Sequence, residues 1–192
     1  MSNIRPAEHK DIQHLKKLID ENISEDYFSE NYIENILNSD NNYIYVCVDE
    51  ENIPVAMIYC VVTSLEDAMK IGYIPIDTLA LKGFDKNSRT CLYKTTCTSK
   101  EYRDTGILHS FMKKIDSITD KLDFERSIVL SLIYANGVIP TDHVLSETGF
   151  IKTQRIIKPW NGIKSHCNYC GKDYCTCDGM LYIKERLNEK QN

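Results

Sequence analysis

The stretch that decides the fold runs Cys91-Leu92-Tyr93-Lys94-Thr95-Thr96-Cys97-Thr98, Ser99-Lys100-Glu101-Tyr102-Arg103-Asp104-Thr105-Gly106, Ile107-Leu108-His109-Ser110-Phe111-Met112-Lys113-Lys114-Ile115. Its first eight residues are rich in β-branched and aromatic side chains and read as a strand. Ser99 to Thr105 is a polar turn. From Gly106 onward the apolar period changes, with Ile107, Leu108, Phe111, Met112 and Ile115 at the spacing of one helix face. In a strand, loop and helix of this kind, the first amides of the helix have no intrahelical partner, and the macrodipole there favours an anion. Gly106 lets the main chain approach such a ligand, and Arg103 adds charge. A tight turn that simply needs glycine accounts for the same residues, and on spacing alone it is the better account.

On the N-terminal side, Ile4-Arg5-Pro6 is a short extended start. Ile12, Leu15, Leu18 and Ile19 mark a first helix, and a second begins after Ser29 with Tyr32, Ile33, Ile36 and Leu37 as its apolar stripe. Tyr43 to Val48 and Pro54 to Thr63, separated by the polar turn Asp49-Glu50-Glu51-Asn52, predict an antiparallel strand pair. Residues 64 to 90 resist assignment beyond a short helix near Glu66 to Ile71. On the C-terminal side, Ile128 to Tyr134 is a strand and Thr141 to Thr148 a helix stopped by Gly149. Phe150 to Ile157 and Met180 to Glu185 are the last strands. The order β-α-α-β-β-β-α-β-α-β-β predicts an α/β (α+β) domain over residues 1–192. Its sheet is mixed, mainly antiparallel and about seven-stranded, with helices on both faces.

The composition bounds what such a domain does. It has 192 residues, 42% hydrophobic and 27% charged, with 8 Gly and 5 Pro, which is the profile of an ordinary folded chain. The longest apolar run, Val55 to Val62, is far short of the roughly 20 residues of a membrane span. The charged N-terminus lacks the apolar core of a secretory signal, so a cytoplasmic location is expected. A net charge of −5 argues against nucleic acid as a partner. Between Lys17 and Lys70 there is no Lys or Arg but there are twelve acids, while Lys152, Arg155, Lys158, Lys164 and Lys172 lie in a stretch without acids. Both runs also serve as solvated faces.

The chain resembles the GNAT superfamily of N-acetyltransferases over nearly its whole length. The element order matches, the family's Arg/Gln-x-x-Gly-x-Gly/Ala loop aligns with Arg103-Asp104-Thr105-Gly106-Ile107-Leu108, and Gly149-Phe150 fits its closing Gly-Phe. The resemblance implies that the loop amides hold the pyrophosphate of acetyl-CoA, and that the backbone at Thr96 and Thr98 bonds the pantetheine. It further implies transfer of an acetyl group to a primary amine. Some positions depart from the family. Leu108 replaces a small residue, Leu145 stands where many members carry a Tyr general acid, the usual Asn is displaced to Asn136, and Leu92 stands where some place a carboxylate base. The catalytic acid and base are therefore unassigned. Since the family's first two helices wall the acceptor site, Glu21, Glu25, Asp26, Glu30 and Glu34 suggest a small cationic amine as substrate. The expected assembly includes a homodimer.

Four of the eight cysteines fall within eleven residues, as Cys167-x2-Cys170-Gly171-x3-Cys175-Thr176-Cys177 beside His166. In a reducing compartment, paired disulfides in so short a loop are disfavoured, and four thiolates suit a structural zinc ion. An iron–sulfur cluster, redox thiols and chance clustering are the alternatives. A zinc hairpin over 166–178 would then join the last two strands. The stretch from His166 to Lys184 is also faintly similar to the C-terminal end of β-lysine acetyltransferases. Two other functions are weighed beside acetyl transfer: a GNAT-fold module that binds acyl-CoA without turnover, and a zinc-stabilised protein-interaction module. Cys47, Cys60, Cys91 and Cys97 lie on predicted strands and read as small buried hydrophobes.

Overall fold

Pro54–Ser64 is buried along nearly all of its length, which only a strand covered on both faces can be. In the computed structural model, which describes residues 3–119, 121–164 and 166–186, this strand is the third of seven. In chain order the elements are β1 (Asn3–Pro6), α1 (Ile12–Asn22), α2 (Glu30–Leu37), β2 (Asn42–Val48), β3 (Pro54–Ser64) and α3 (Leu65–Ile71). They continue with β4 (Arg89–Thr98), α4 (Ile107–Thr119), β5 (Arg126–Ile133), α5 (Asp142–Glu147), β6 (Ile151–Ile156) and β7 (Asp178–Glu185). The strands form one sheet in the order β1-β2-β3-β4-β5-β7-β6. Every neighbouring pair is antiparallel except β4 with β5.

The alternation of β3 sorts the helices. Ala56, Ile58, Cys60 and Val62 face a cluster that includes Phe111, Met112 and Ile115 of α4 and Leu145 of α5. Met57, Tyr59 and Val61 face Leu15, Leu18 and Ile19 of α1 and Ile33 and Ile36 of α2. Leu92 of β4, directly opposite Val61, continues that second face beneath α3, against Leu65, Ala68 and Met69. The mixed sheet with helices on both faces is thus the architecture the periodicities predict.

Residues 64 to 90 owe their order to contacts that no local pattern reveals. Ser64 caps α3 by accepting a hydrogen bond from the Asp67 amide. The Leu65 and Glu66 amides donate to Ser88 and Lys86 carbonyls, and the Ala80 amide donates to Gln154 of β6, 74 residues away. β5 starts at Arg126, two residues before the apolar run, because that guanidinium is buried against Ser88, Glu185 and the Phe84 ring. Gly149, at φ +86, ends α5 as expected.

β4 carries two irregularities that shape the site. Tyr59 pairs with Thr95 and Cys60 with Tyr93, so Lys94 is an extra, bulged residue. Pairing with β5 stops at Tyr93↔Val129. Past that point β4 stays with β3 as far as Thr98, β5 stays with β7 as far as Ile133, and the two strands part. The bulge and the fork coincide.

The sheet's first edge is pinned by an ion pair. Arg5 of β1 donates twice to the Asp11 carboxylate, at 2.7 and 3.0 Å, and the Glu8 amide donates to it at 2.8 Å. Burial pushes the Asp11 carboxyl up, but these three donors outweigh it and hold it below the usual range. Removing Arg5 leaves a buried carboxylate unpaired, so Arg5→Ala should cost about 3 kcal/mol of unfolding free energy at pH 7. Because the native carboxyl titrates low, the pair's contribution is complete above the ordinary carboxylate value near pH 4 and disappears as pH falls through the lowered native value. Urea unfolding should show the gap between wild type and Arg5→Ala narrowing from pH 7 to pH 3; a gap independent of pH would refute this reading.

Candidate functional site

Where β4 and β5 part they leave a groove of about 830 Å³. His109 and Met112 of α4 and Leu145 of α5 line it from one face of the sheet. Asn22, Ser24 and Tyr27, on and after α1, line it from the other, with Gly72 at the end of α3. The groove therefore reaches both faces through the fork. β4 contributes Lys94 to Thr98, whose strand edge toward β5 is unpaired.

At the mouth of the fork lies the turn that the sequence singles out. Asp104 and Gly106 both take left-handed φ values, +60 and +75, and α4 begins at Ile107. A Cβ on Gly106 would have nothing within 4 Å, so this glycine serves the backbone conformation and leaves open space in front of the helix end. Thr105 closes the turn by donating to the Tyr102 carbonyl at 2.7 Å. Leu108 is partly buried on the core, as is Ile107, so the large residue at the motif's last position serves packing. Thr96 donates to the Met57 carbonyl, and the hydroxyls of Thr98 and Ser99 are buried without a hydrogen-bond partner. Arg103, itself exposed, reaches across the turn: its guanidinium donates to the Thr98 carbonyl and to the Asn22 side chain at the end of α1. A smaller groove outside Gly106 is rimmed by Asp49, Glu50 and Glu51 of the β2–β3 turn.

The four cysteines come together. The sulfurs of Cys167, Cys170, Cys175 and Cys177 lie within 4.8 Å of one another, and Cys167 and Cys175 also line the groove. The local chain folds as a knuckle, with the Gly171 amide donating to the Cys167 carbonyl at 2.8 Å and Gly171 at φ +64. Burial opposes ionisation of Cys170, yet the Thr176 and Lys172 amides and the thiols of Cys167 and Cys177 prevail and lower it to about 7. Burial pushes the Cys175 thiol up to about 11. His166 is engaged with Asp173 at 3.0 Å and stands outside the thiol group.

This knuckle is bolted to the groove wall. Asn168 donates from its backbone to the Ile23 carbonyl at 3.2 Å and from its side chain to the Asp20 carbonyl at 2.8 Å. The Tyr169 hydroxyl donates to the Asn22 carbonyl at 2.8 Å, and its ring stacks on Tyr134, centroids 5.1 Å apart. A continuous path therefore runs from the cysteines through Asn22 to Arg103 and the turn.

The expectations about acceptor charge and proton transfer fare differently. Among the described residues, none of Glu21, Glu25, Asp26, Glu30 and Glu34 lines the groove, where Asp104 is the one acid. Asp26 and Asp20 are instead held by Lys16. Leu145 is fully buried in the core and Asn136 bonds only its own turn, so neither offers a proton donor. What sequence reasoning missed includes three of the groove's tyrosines, Tyr27, Tyr134 and Tyr169, and Lys94. Burial raises the Tyr27 hydroxyl to about 12 and lowers the Lys94 ammonium to about 8.

No family model matches the sequence, and no curated protein matches it. Solved structures do. NAA60 from Arabidopsis thaliana in complex with acetyl-CoA superposes with a TM-score of 0.68 at 12% identity, over 96% of this chain and 98% of that one. The ribosomal-protein-S18-alanine N-acetyltransferase from Escherichia coli matches at 0.63 with 9% identity, over 100% and 99% of the two chains. The spermidine N-acetyltransferase SpeG from Vibrio cholerae matches at 0.62 with 13% identity, over 96% and 93%. The chain has the fold of the GNAT superfamily of N-acetyltransferases.

The seam between knuckle and α1 should be separable from the rest of the groove. Asn168→Ala with Tyr169→Phe deletes two side-chain hydrogen bonds, each contributing about 1 kcal/mol. Hydrogen exchange over residues 20–26 should accelerate by about tenfold or more while α4 keeps its protection. Equal exchange in both proteins would show that the seam carries no stability.

Proposed function

We propose that the protein is an acetyl-CoA-dependent N-acetyltransferase acting on a primary amine, and that Cys167, Cys170, Cys175 and Cys177 hold a structural zinc ion. The observation that carries the first part is the fork between β4 and β5, which opens beside the helix-end turn and continues through the sheet. A strand edge with unpaired amides and carbonyls is suited to an extended amide-bearing chain, which pairs as an added strand. Lys94 to Thr98 offer such an edge to the pantetheine, with the backbone of Thr96 and Thr98 as its partners. The amides of Asp104 to Leu108, in the turn and at the start of α4, would hold the cofactor's pyrophosphate. Arg103 adds positive potential behind them while it fixes the turn to Asn22.

The chemistry of such a site is attack of a neutral amine on a thioester carbonyl. The chain's part is alignment: β4 fixes the thioester, the wall made by Asn22, Ser24, Tyr27 and the knuckle places the amine, and both meet at the apex of the fork. The bulge at Lys94 interrupts the β3–β4 register, and a backbone N–H freed there would meet the developing oxyanion. Tyr134 supplies a hydroxyl at the same wall for the departing thiolate's proton, in place of the absent tyrosine at position 145, while the Tyr169 proton is held by the Asn22 carbonyl. The expectation of a small cationic amine draws no support from a lining whose described residues include a single carboxylate.

Zinc is favoured by the donor set. Four sulfurs already lie within one coordination sphere's reach, with backbone amides directed at Cys170, and a four-thiolate site leaves no open position for catalysis. The ion would contribute folding energy and close the β6–β7 connection.

The reading is tested by incubating the protein with acetyl-CoA and a panel of primary amines and following release of free thiol. Absence of turnover together with absence of CoA binding would overturn it. Calorimetry should show CoA binding to wild type and its loss, about a hundredfold or more, in Gly106→Glu, where a carboxylate faces the pyrophosphate. Gly106→Asn, which tolerates left-handed φ, should retain binding and so separate charge from backbone strain. For the metal, the purified protein should carry about one zinc per chain. Cys170→Ser should lose it and melt at a lower temperature. Metal-free protein that melts together with the wild type would contradict the assignment, and a visible chromophore would indicate iron and sulfur instead.

A further inference from the structure

Among the titratable side chains that line the groove, those of Lys94, His109 and His143 have no part in the mechanism above, and Lys94 is the one at the fork. It is the extra residue of the β4 bulge and the first residue past the last β4–β5 pair, so it stands at the apex of the fork. Its ammonium donates to the Ile71 carbonyl at the end of α3, at 2.7 Å, and lies over the Tyr73 ring, 4.1 Å from the centroid. Capping a helix end is a sufficient structural role for a lysine. It satisfies only one of three N–H donors, however, and among the described residues no carboxylate pairs with Lys94 although the residue is half-buried and lines the groove. A half-buried cation without a counter-ion is costly, and the cost is relieved by an anion supplied from outside.

The rest of the lining fits that view. Asp104, the one acid among the described lining residues, belongs to the exposed turn on the far side of Thr98. The second cation of this wall, Arg103, is already held by the Thr98 carbonyl and the Asn22 side chain. Among the described lining residues Lys94 is therefore the cation at the point where the strands first part, held there by a carbonyl and a ring without a counter-ion.

We propose that Lys94 forms an anion subsite at the apex of the groove and that the acceptor is an amine that also carries a carboxylate, such as an amino acid or the terminus of a short peptide. The inference rests on the acetyl-transfer reading and narrows its substrate. Two remaining N–H donors on one ammonium suit the two oxygens of a carboxylate. A cation beside the acceptor also favours the neutral form of its amine, which is the form that attacks, whereas a wall of carboxylates would hold the amine protonated.

The test is a comparison of kcat/KM for a series of α- and ω-amino acids, their carboxamides and spermidine, using the full chain and acetyl-CoA. Carboxylate-bearing amines should exceed their amides by about tenfold or more. In Lys94→Met that ratio should fall by ten- to a hundredfold, about the contribution of a hydrogen bond to a charged group. Lys94→Arg should keep the preference, which guards against a merely structural loss of the α3 cap. Equal rates for acids and amides, or spermidine as the best acceptor, would overturn this proposal while leaving acetyl transfer standing. If no amine turns over, titration of the Lys94 ammonium by 15N NMR still decides. Its pKa should rise with added 4-aminobutanoate and stay fixed with the corresponding amide, and no rise with either would refute the subsite.

Discussion

The rest of this structure depends on a short pairing: four residues of β4 lie parallel to four of β5 inside a sheet that is otherwise antiparallel. Parallel strands need a crossover, and here it is the polar turn followed by α4, so the same connection that makes the pairing also places a helix N-terminus at its end. Because each strand keeps an antiparallel partner on its other side, the two separate without breaking up the sheet. The opening is stable because its cost is confined to a few unpaired backbone groups. Those groups are the ones that an extended ligand would satisfy.

Much of this was legible in the chain. The change from strand to helix period around Gly106, the polar turn before it and the stop at Gly149 predicted the strand-turn-helix unit at the place it occupies. The cysteine spacing predicted that four thiols would converge. What stayed hidden depends on long-range partners. The register slip at Lys94 has no local marker, since Tyr93-Lys94-Thr95 looks like any half-buried strand. The start of β5 was masked because Arg126 is a charged residue held in the interior by Ser88, Glu185 and Phe84. The acidic run after Lys17 suggested the wrong lining because sequence gives the residues of α1 and α2 without their orientation. Their acids face solvent or Lys16, while the small polar Asn22 and Ser24 turn inward.

Leu108 and Leu145 show how packing and chemistry share positions. Leu145 fills the core under the groove, and Leu108 helps to anchor the first turn of α4. Each strengthens the scaffold at a place where a smaller or polar residue would address a ligand directly. The groove compensates on its other wall, where the knuckle brings in Tyr169 next to Tyr134. The Tyr134 and Tyr169 rings lie at the seam between β5 and the β6–β7 connection, away from α5.

That seam joins residues far apart in the chain: Asn168 reaches Asp20 across 148 positions and Tyr169 reaches Asn22 across 147. Loop closure of that length comes late in folding, after local helices and hairpins have formed. On a ribosome β4, the turn and α4 are made well before residue 167 has been added, whereas β7, which holds the β5 arm of the fork, follows it. A chain emerging from synthesis thus passes through a stage with the turn side built and the opposite wall missing. The hairpin that finishes that wall is also the one that gathers the thiols, so the last step in making the groove coincides with the step at which a metal would be taken up.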